Sequence, residues 1–238
     1  MRRTEPGLED QIAYYREQAG HYDRKFWSMG NRDNRNHKIK IARLMDTLEL
    51  KDGDSVLEVG TGTGLHARWL LDNVKVSYVG LDASFEMLEQ ARSRIPESPL
   101  LAADATFLPF PDGSLDAVFC SGALHHMDKP WLVLKEMARV TRSGGHVAVM
   151  EPNWKFPTNF INVSTQRVEW NCFKLSPRTV MPRLADAGLR RLKLERVLYT
   201  PPKPEKLIPF FDKVDRAVAR TPGLRRVSLM LLASGTKP

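Results

Sequence analysis

The sequence contains few cysteines and no long hydrophobic run. Its 238 residues include only two cysteines, Cys120 and Cys172, which are too few for a disulfide framework and lack the spacing of metal ligands. No stretch has the apolar length of a signal peptide or of a membrane-spanning helix. These absences argue against a disulfide-stapled secreted protein and an integral membrane protein, so we predict a soluble, cytoplasmic one.

Acidic residues are in the minority, and the positive charge is concentrated in one segment. The formal net charge is +8, and residues 190–226 hold eleven Lys or Arg against four Asp or Glu. Such a segment suits nucleic acid, an anionic lipid surface or an acidic small molecule, and it is equally typical of a solvated surface. Because no RNA- or DNA-binding motif accompanies it, we expect no nucleic-acid partner. Peripheral membrane contact and the oligomeric state stay open.

The middle of the chain alternates short apolar runs with amphipathic stretches. The apolar runs predict strands at Ser55–Val59, Ser77–Leu81, Leu100–Ala102, Leu115–Cys120 and His146–Glu151. The stretches between them predict helices at Leu65–Asp72, Ser84–Ser93 and Pro130–Thr141. Strands that alternate with helices form a parallel sheet covered on both faces, and such sheets bind ligands at the carboxyl ends of their strands.

The flanking regions extend this pattern and interrupt it twice. Helices are predicted at Leu8–Phe26, Ile39–Leu50 and Ser176–Ala187, and strands at Leu189–Thr200 and Val227–Ala233. The long crossing before the last strand indicates that it inserts antiparallel to its neighbours. We predict one domain over residues 1–238, with a helical lid at 1–45, a core at 46–152, and substrate caps at 153–175 and 203–224.

A glycine-rich loop follows the first predicted strand. It reads Glu58-Val-Gly-Thr-Gly-Thr-Gly64, and its glycines let the backbone pass close to a ligand while the next helix offers unpaired N–H groups. Residues 62–67 also match the dinucleotide pattern GxGxxA, so a nicotinamide cofactor stays open at this point. Glu58 would repel a pyrophosphate and attract an ammonium group. The loop therefore favours the amino-acid end of S-adenosylmethionine.

Two further acids close the next two strands. Asp82 ends the second strand, where a carboxylate can accept hydrogen bonds from both hydroxyls of a ribose. Asp104 follows the third strand, where it could accept a hydrogen bond from the amino group of adenine. With Glu58, acids stand at three successive strand ends, which favours a cofactor that contains a nucleoside.

Five motifs together resemble those of a known family. They read Val56-Leu-Glu-Val-Gly-Thr-Gly-Thr-Gly64, Gly80-Leu-Asp-Ala-Ser84, Ala103-Asp-Ala105, Leu108-Pro-Phe-Pro-Asp-Gly-Ser-Leu-Asp-Ala-Val118 and Arg139-Val-Thr-Arg-Ser-Gly-Gly145. The family is the class I S-adenosylmethionine-dependent methyltransferases, particularly the group similar to the ubiquinone and menaquinone C-methyltransferases. The resemblance implies an α/β, Rossmann-like fold: a seven-stranded, mostly parallel sheet with helices on both faces, an antiparallel last strand, a helical lid and inserted caps.

The same resemblance implies a cofactor and the residues that hold it. The cofactor would be S-adenosyl-L-methionine, and the product S-adenosyl-L-homocysteine. The glycine loop would cradle the methionine part, Asp82 would take the ribose, and Asp104 would border the adenine. The candidate cofactor-binding residues are Glu58, Gly60, Thr61, Gly62, Gly64, Asp82, Ala83, Met87, Asp104, Ala105, Thr106, Ser121 and His126.

Methyl transfer is an in-line displacement, which needs alignment, a dry site and, for a protonated nucleophile, a base. The segment after the fourth strand lacks the cluster of Asp and Asn residues that would bind a metal ion, so we expect no metal.

His125 and His126 follow the fourth strand instead, and either could relay a proton near neutral pH. Both could equally cap the next helix or contact the cofactor by shape. His125 is the first catalytic candidate. Tyr22 is the second, although it could equally pack in the lid.

Five residues are candidates for contact with the methyl acceptor. Glu151 ends the fifth strand and faces the same crevice, although Pro152 beside it suits a backbone turn as well. The others are aromatic and could wall an acceptor or form a small core of their own: Tyr14, Trp154, Phe156 and Trp170. We expect a small-molecule acceptor that is apolar, aromatic or lipid-like. Methylation of RNA or protein, a cofactor-binding subunit without catalysis, and a nicotinamide oxidoreductase are the alternatives.

Overall fold

Seven strands form one sheet in the part of the chain that the computed structural model describes, residues 7–21, 35–200 and 205–238. The strands are β1 (Ser55–Val59), β2 (Ser77–Asp82), β3 (Leu100–Ala102), β4 (Leu115–Ser121), β5 (Thr141–Pro152), β6 (Arg190–Val197) and β7 (Met230–Thr236). Their order across the sheet is β3-β2-β1-β4-β5-β7-β6, and β7 runs antiparallel to both of its neighbours. The predicted mostly parallel sheet with an antiparallel last strand is confirmed.

Helices cover both faces of this sheet. They are α1 (Leu8–Gln18), α2 (Arg35–Leu48), α3 (Leu65–Asn73), α4 (Phe85–Arg94), α5 (Pro130–Val140), α6 (Pro157–Thr165), α7 (Pro177–Asp186) and α8 (Ile208–Arg220). The apolar sides of α2, α3 and α4 pack on one face, and those of α5 and α7 pack on the other. Within the described residues, no helix is both long enough and apolar enough to cross a bilayer.

The central strand β1 shows how a short apolar run forms a strand that is buried on both faces of the sheet. Val56, Leu57 and Val59 have no exposed surface, as expected of a strand that is covered on both faces. β1 pairs in parallel with β2 on one side and with β4 on the other. The carboxyl ends of these three strands therefore meet at one edge of the sheet, where the predicted motifs lie.

The lid helices differ in length from the prediction. The first helix was expected over Leu8–Phe26, but it ends at Gln18, and residues 22–34 lie outside the described part of the chain. The second begins at Arg35 rather than Ile39 and ends at Leu48. The division of the chain into a lid, a core and caps stays a prediction.

The first cap is more regular than its sequence indicates. Residues 153–175, predicted as a cap that interrupts the alternation of strands and helices, contain α6 and an eight-residue 3₁₀ stretch, Arg167–Lys174. α6 begins at Pro157, and proline is well tolerated in the first turn of a helix. The last strand starts at Met230 rather than Val227, because a 3₁₀ turn over Leu224–Arg226 occupies the chain before it.

Candidate functional site

A cavity lies at the carboxyl edge of the sheet. Its volume is about 700 Å³, within the range of about 300 to 1,000 Å³ that is typical of small-molecule sites. The loops after β1, β2, β3 and β4 line one part of it, and α1, α2 and the first cap line much of the rest. The topology of the sheet thus brings together motifs that lie far apart in the sequence.

The loop after β1 depends on glycine for its shape. Gly60 and Gly62 have φ angles of 76° and 53°, a region that residues with a Cβ rarely adopt. A Cβ on Gly60 would collide with Ala123, whereas one on Gly62 would meet nothing within 4 Å. Both glycines line the cavity, so the open space at Gly62 allows a ligand to approach the backbone closely.

Asp82 lines the cavity beside this loop. Its Oδ2 accepts a hydrogen bond from the N–H of Gly62 at 2.8 Å, and its Oδ1 accepts one from the N–H of Ser84 at 2.9 Å. Burial raises the pKa of Asp82, although these two backbone donors act in the opposite direction. Each carboxylate oxygen can accept a further hydrogen bond, so Asp82 can receive the two hydroxyls of a ribose.

Glu58 does not occupy the position expected for it. Its carboxylate is fully buried behind the glycine loop and is not among the groups that line the cavity. The hydroxyl of Tyr78 donates to Oε2 at 2.6 Å, Thr61 Oγ1 donates to the same oxygen at 3.2 Å, and His66 Nδ1 lies 3.2 Å from Oε1. Both oxygens thus have protein partners, and Glu58 supports the loop from behind rather than facing a ligand.

Most of the other candidate cofactor residues are brought together. Asp104 Oδ1 accepts a hydrogen bond from the N–H of Thr106 at 2.8 Å, which orders the loop after β3. Gly64, with Glu58, lies outside the cavity wall. The candidates that line the cavity are Gly60, Thr61, Gly62, Asp82, Ala83, Met87, Asp104, Ala105, Thr106, Ser121 and His126.

His125 lies buried between two glutamates. Its Nδ1 contacts Oε2 of Glu151, and its Nε2 lies 3.1 Å from Oε2 of Glu169. Glu151 is held in turn by the N–H of Leu124, which donates to Oε1 at 3.0 Å. Burial alone would lower the pKa of His125, but the neighbouring Cys172 and Glu151 outweigh it and hold this pKa well above the usual value. Because each ring nitrogen faces a carboxylate oxygen, we assign a proton to both nitrogens and treat the ring as an imidazolium.

Glu169 is the carboxylate of this group that lines the cavity. Burial alone would raise the pKa of Glu169, but the hydrogen bond from His125 outweighs it and lowers this pKa to about 2. Glu169 comes from the 3₁₀ stretch of the first cap, so its ion pair with His125 connects the cap to the core.

His126 is held in a different way from its neighbour. Its Nδ1 lies 3.2 Å from the carbonyl oxygen of Val168, and its Nε2 lies 2.6 Å from the hydroxyl of Tyr15. Because a carbonyl can only accept, we assign the ring proton to Nδ1, and the Tyr15 hydroxyl then donates to Nε2. Burial, reinforced by the charge on His125, lowers the pKa of His126 to about 3. This ring is therefore neutral.

Three of these side chains also have the spacing of a metal site. Ligand atoms of His125, His126 and Glu169 lie within 4.8 Å of one another. Both Nε2 atoms already have protein partners, Glu169 for one ring and Tyr15 for the other. The contacts of these side chains do not call for an ion, and the expectation that no metal is needed stays a prediction.

The remaining candidates are divided between the cavity and its surroundings. Phe156 lines the cavity, whereas Tyr14, Trp154 and Trp170 do not. Trp154 packs edge-on against Phe173, with ring centroids 5.6 Å apart, so it belongs to a small aromatic cluster of the cap. Glu151 lies outside the cavity wall and contacts Nδ1 of His125. Tyr22 falls among residues 22–34, outside the described part of the chain.

Several cavity residues were missed by the sequence reading. Gln11 and Tyr15 share the inner side of α1, and their spacing of four residues was a usable signal for a common face. Lys40 on α2 is half-buried in the cavity wall, and desolvation lowers its pKa to about 8. No sequence pattern around Glu169 predicts that it belongs to the site. Other lining residues that were not predicted are Leu8, Asn36, His37, Asn159, Asn162 and Thr200.

Comparison with known proteins fits this geometry. The family model described as a methyltransferase domain matches residues 57–149. A demethylmenaquinone methyltransferase of Beutenbergia cavernae is 40% identical over 113 residues, which cover 46% of this chain and 47% of that protein. The methyltransferase GfsG of Streptomyces halstedii is 32% identical over 183 residues, which cover 71% of this chain and 65% of that protein. The chain spans about half the length of the demethylmenaquinone methyltransferases it matches.

Solved structures share the fold over nearly the whole chain. A SAM-dependent methyltransferase from Thermotoga maritima superposes with a TM-score of 0.69 at 20% identity and covers 96% of this chain and 100% of its own. The [4+2]-cyclase SpnF superposes with the same TM-score of 0.69 at 18% identity, covering 99% of this chain and 98% of its own. Because proteins with different names share this fold, the fold does not decide the reaction.

Proposed function

The chain carries the methyltransferase domain and the fold of the class I S-adenosylmethionine-dependent methyltransferases, and from this premise we propose that it transfers a methyl group to a small-molecule acceptor. The transfer proceeds by in-line displacement and needs no metal. The observation that carries the proposal is a single cavity that joins the glycine loop and Asp82 to the Glu169 carboxylate.

The residues present fit S-adenosylmethionine. Gly62 leaves room for the methionine part at the backbone, and Asp82 offers two acceptors for the ribose hydroxyls. When bound, the cofactor supplies an electrophilic methyl group. A pyrophosphate suits the site less well, because the N–H of Gly62 already donates to a carboxylate that would repel it. Asp82 by itself suits the ribose of either cofactor, and the occupied N–H of Gly62 favours S-adenosylmethionine over a nicotinamide dinucleotide.

We assign the removal of the acceptor's proton to Glu169 rather than to His125. Both nitrogens of His125 donate to carboxylates, so the ring has no free lone pair with which to accept a proton. Glu169 faces the cavity and is ionised. A weak base is sufficient here, because the acceptor's proton becomes acidic only as its oxygen or nitrogen binds the methyl group. His125 is then a positioning residue, and Glu151 orients it.

The walls of the cavity suit an acceptor that is mostly apolar with a polar reacting end. Phe156, Val163 and Met230 provide apolar surface, and Asn159 and Asn162 on α6 provide hydrogen-bonding groups. The named relatives support a small molecule, since they include demethylmenaquinone and 27-O-demethylrifamycin SV methyltransferases. We propose an aromatic or lipid-like acceptor on this basis.

The test uses isotopically labelled S-adenosylmethionine with an extract of the native host, followed by mass spectrometry of the labelled products. We expect one labelled small molecule, and we expect Asp82→Ala to lose affinity for S-adenosylhomocysteine by calorimetry while Asp72→Ala, on the exposed end of α3, keeps it. Label that appears in RNA or in protein would favour methylation of RNA or protein instead. Binding without any labelled product would favour a subunit without catalysis, and binding of NAD instead would contradict the cofactor.

A further inference from the structure

The outer side of the first cap carries exposed apolar side chains. Phe160 and Ile161 on α6 are 50% and 60% exposed, and Phe173 on the adjoining 3₁₀ stretch is exposed as well. Phe160 and Phe173 contact edge-on with ring centroids 6.5 Å apart, and Trp154 also packs edge-on against Phe173. These side chains therefore form one apolar patch rather than separate exposed residues.

A second exposed segment adjoins this patch. Leu224 and Val227 are exposed in the turn before β7, and hydrogen bonds tie this turn to the first cap. Asn153 Nδ2 donates to the carbonyl oxygen of Arg226 at 3.0 Å, and Asn159 Nδ2 donates to that of Leu229 at 2.8 Å. We define the cap surface as the exposed side chains of residues 154–174 and 221–227.

The charge on the cap surface has one sign. One cation of the cap surface, Arg167, lies 3.4 Å from Asp10 of α1. Residues 154–174 and 221–227 contain five cations in all, Lys155, Arg167, Lys174, Arg225 and Arg226. Their only acid is Glu169, which turns inward to His125. Lys155 extends over the ring of Trp154, with Nζ 5.5 Å from its centroid, so cationic and apolar groups are interleaved. Exposed aromatic and aliphatic side chains among Lys and Arg are the chemistry that binds an anionic bilayer surface.

The helix α6 relates this surface to the cavity. Asn159, Asn162 and Val163 line the cavity, whereas Phe160 and Ile161 on the same helix face outward. A bilayer against the outward side would lie one helix diameter from the cavity, about 10 Å. A molecule dissolved in the bilayer could then reach the site without crossing much water.

We propose that the cap surface docks on anionic lipid bilayers. The inference goes beyond the proposed function and does not depend on it, because lipid binding is measured without a methyl donor or acceptor. Apolar burial and attraction between Lys or Arg and the lipid headgroups contribute together, so both kinds of side chain are needed.

Flotation of the full chain with phosphatidylcholine vesicles, with and without phosphatidylglycerol, tests this directly. We expect the protein to float with the anionic vesicles and not with the zwitterionic ones, and less so at high salt because screening weakens surface charges. Phe160→Ser with Ile161→Ser, and separately Arg225→Glu with Arg226→Glu, should each lower the bound fraction. The charge reversal should lower the vesicle partition coefficient by about 25-fold or more, since each of the two basic residues contributes about fivefold near such a surface.

Arg190→Glu with Arg191→Glu is the matched control. Arg190 pairs with Thr236, and Thr236 pairs with His146, which is in register with Ala117 near the start of β4. This pair therefore lies at the amino-terminal edge of the parallel strands, opposite the cavity. Equal losses in the control and in the cap variants, or no flotation of the parent protein, would overturn the proposal, as would retention on RNA in place of vesicles. Unchanged affinity for S-adenosylhomocysteine and an unchanged Tm establish that the variants fold. Flotation without any methylated product would contradict the proposed function and still support the docking surface.

Discussion

The hydroxyl of Tyr15, in the lid helix α1, lies 2.6 Å from Nε2 of His126, in the turn after β4. This hydrogen bond connects the lid to the loop that borders both the candidate cofactor site and the Glu169 carboxylate. Because His126 is mostly buried and neutral, the tyrosine proton is the one that satisfies its unprotonated nitrogen. The lid is therefore part of the site and not only a cover for it.

Tyr15→Phe should weaken this connection. The change leaves Nε2 of His126 buried without a donor, which costs about 1–3 kcal/mol, and we expect a lower free energy of unfolding and a lower kcat/KM for the acceptor. Urea unfolding and steady-state kinetics measure both. Tyr14→Phe is the control, because Tyr14 lies outside the cavity wall. Equal effects of the two changes would mean that the contact with His126 has no special role.

Glu169→Gln should reduce turnover with a protonated acceptor. The amide keeps the size of the side chain but cannot take a proton at neutral pH, so we expect kcat to fall by about 10²- to 10⁴-fold. Affinity for S-adenosylhomocysteine should stay unchanged in calorimetry. Glu89→Gln, at an exposed position on α4, should have no effect. Full turnover of Glu169→Gln would rule out Glu169 as the base.

The pH profile should report how His125 positions Glu169. A base is active in its ionised form, so activity is lost as the pH falls through its pKa. His125 lowers the pKa of Glu169 from 4.5 to about 2, and the parent enzyme should therefore show no acid limb from this group at pH 4 to 5. In His125→Gln the burial of Glu169 acts without its counter-charge, which raises this pKa. The acid limb should then appear at or above pH 4.5, and an unchanged profile would contradict the positioning role.

Chelation should leave methyl transfer intact. After dialysis against EDTA, we expect the same rate with labelled S-adenosylmethionine and no stoichiometric metal in elemental analysis. The group formed by His125, His126 and Glu169 is where an ion would bind if the expectation were wrong. Loss of activity that a divalent ion restores, together with loss of that ion in His126→Ala, would show a metal enzyme.

The sequence was most informative where a single segment carries the whole signal. The strand Ser55–Val59 was predicted with its observed bounds, because an apolar run between a turn and a glycine loop is a local pattern. Asp82 could be placed at the cavity for a similar reason, since the end of a parallel strand faces the ligand edge of the sheet. Glu58 shows the limit of this reasoning, because its partner Tyr78 lies on the neighbouring strand, and only the pairing of β1 with β2 brings the two together.

The sequence by itself determined the class of fold, the glycine loop and the carboxylate at Asp82, because these depend on local periodicity and on where a strand ends. Only the tertiary structure decided which groups surround His125. Glu169 and Tyr15 come from a cap and a lid that no spacing connects to that histidine, and the packing of these segments on the sheet brings them within hydrogen-bonding distance. That packing turned His125 from a predicted base into an imidazolium between two carboxylates.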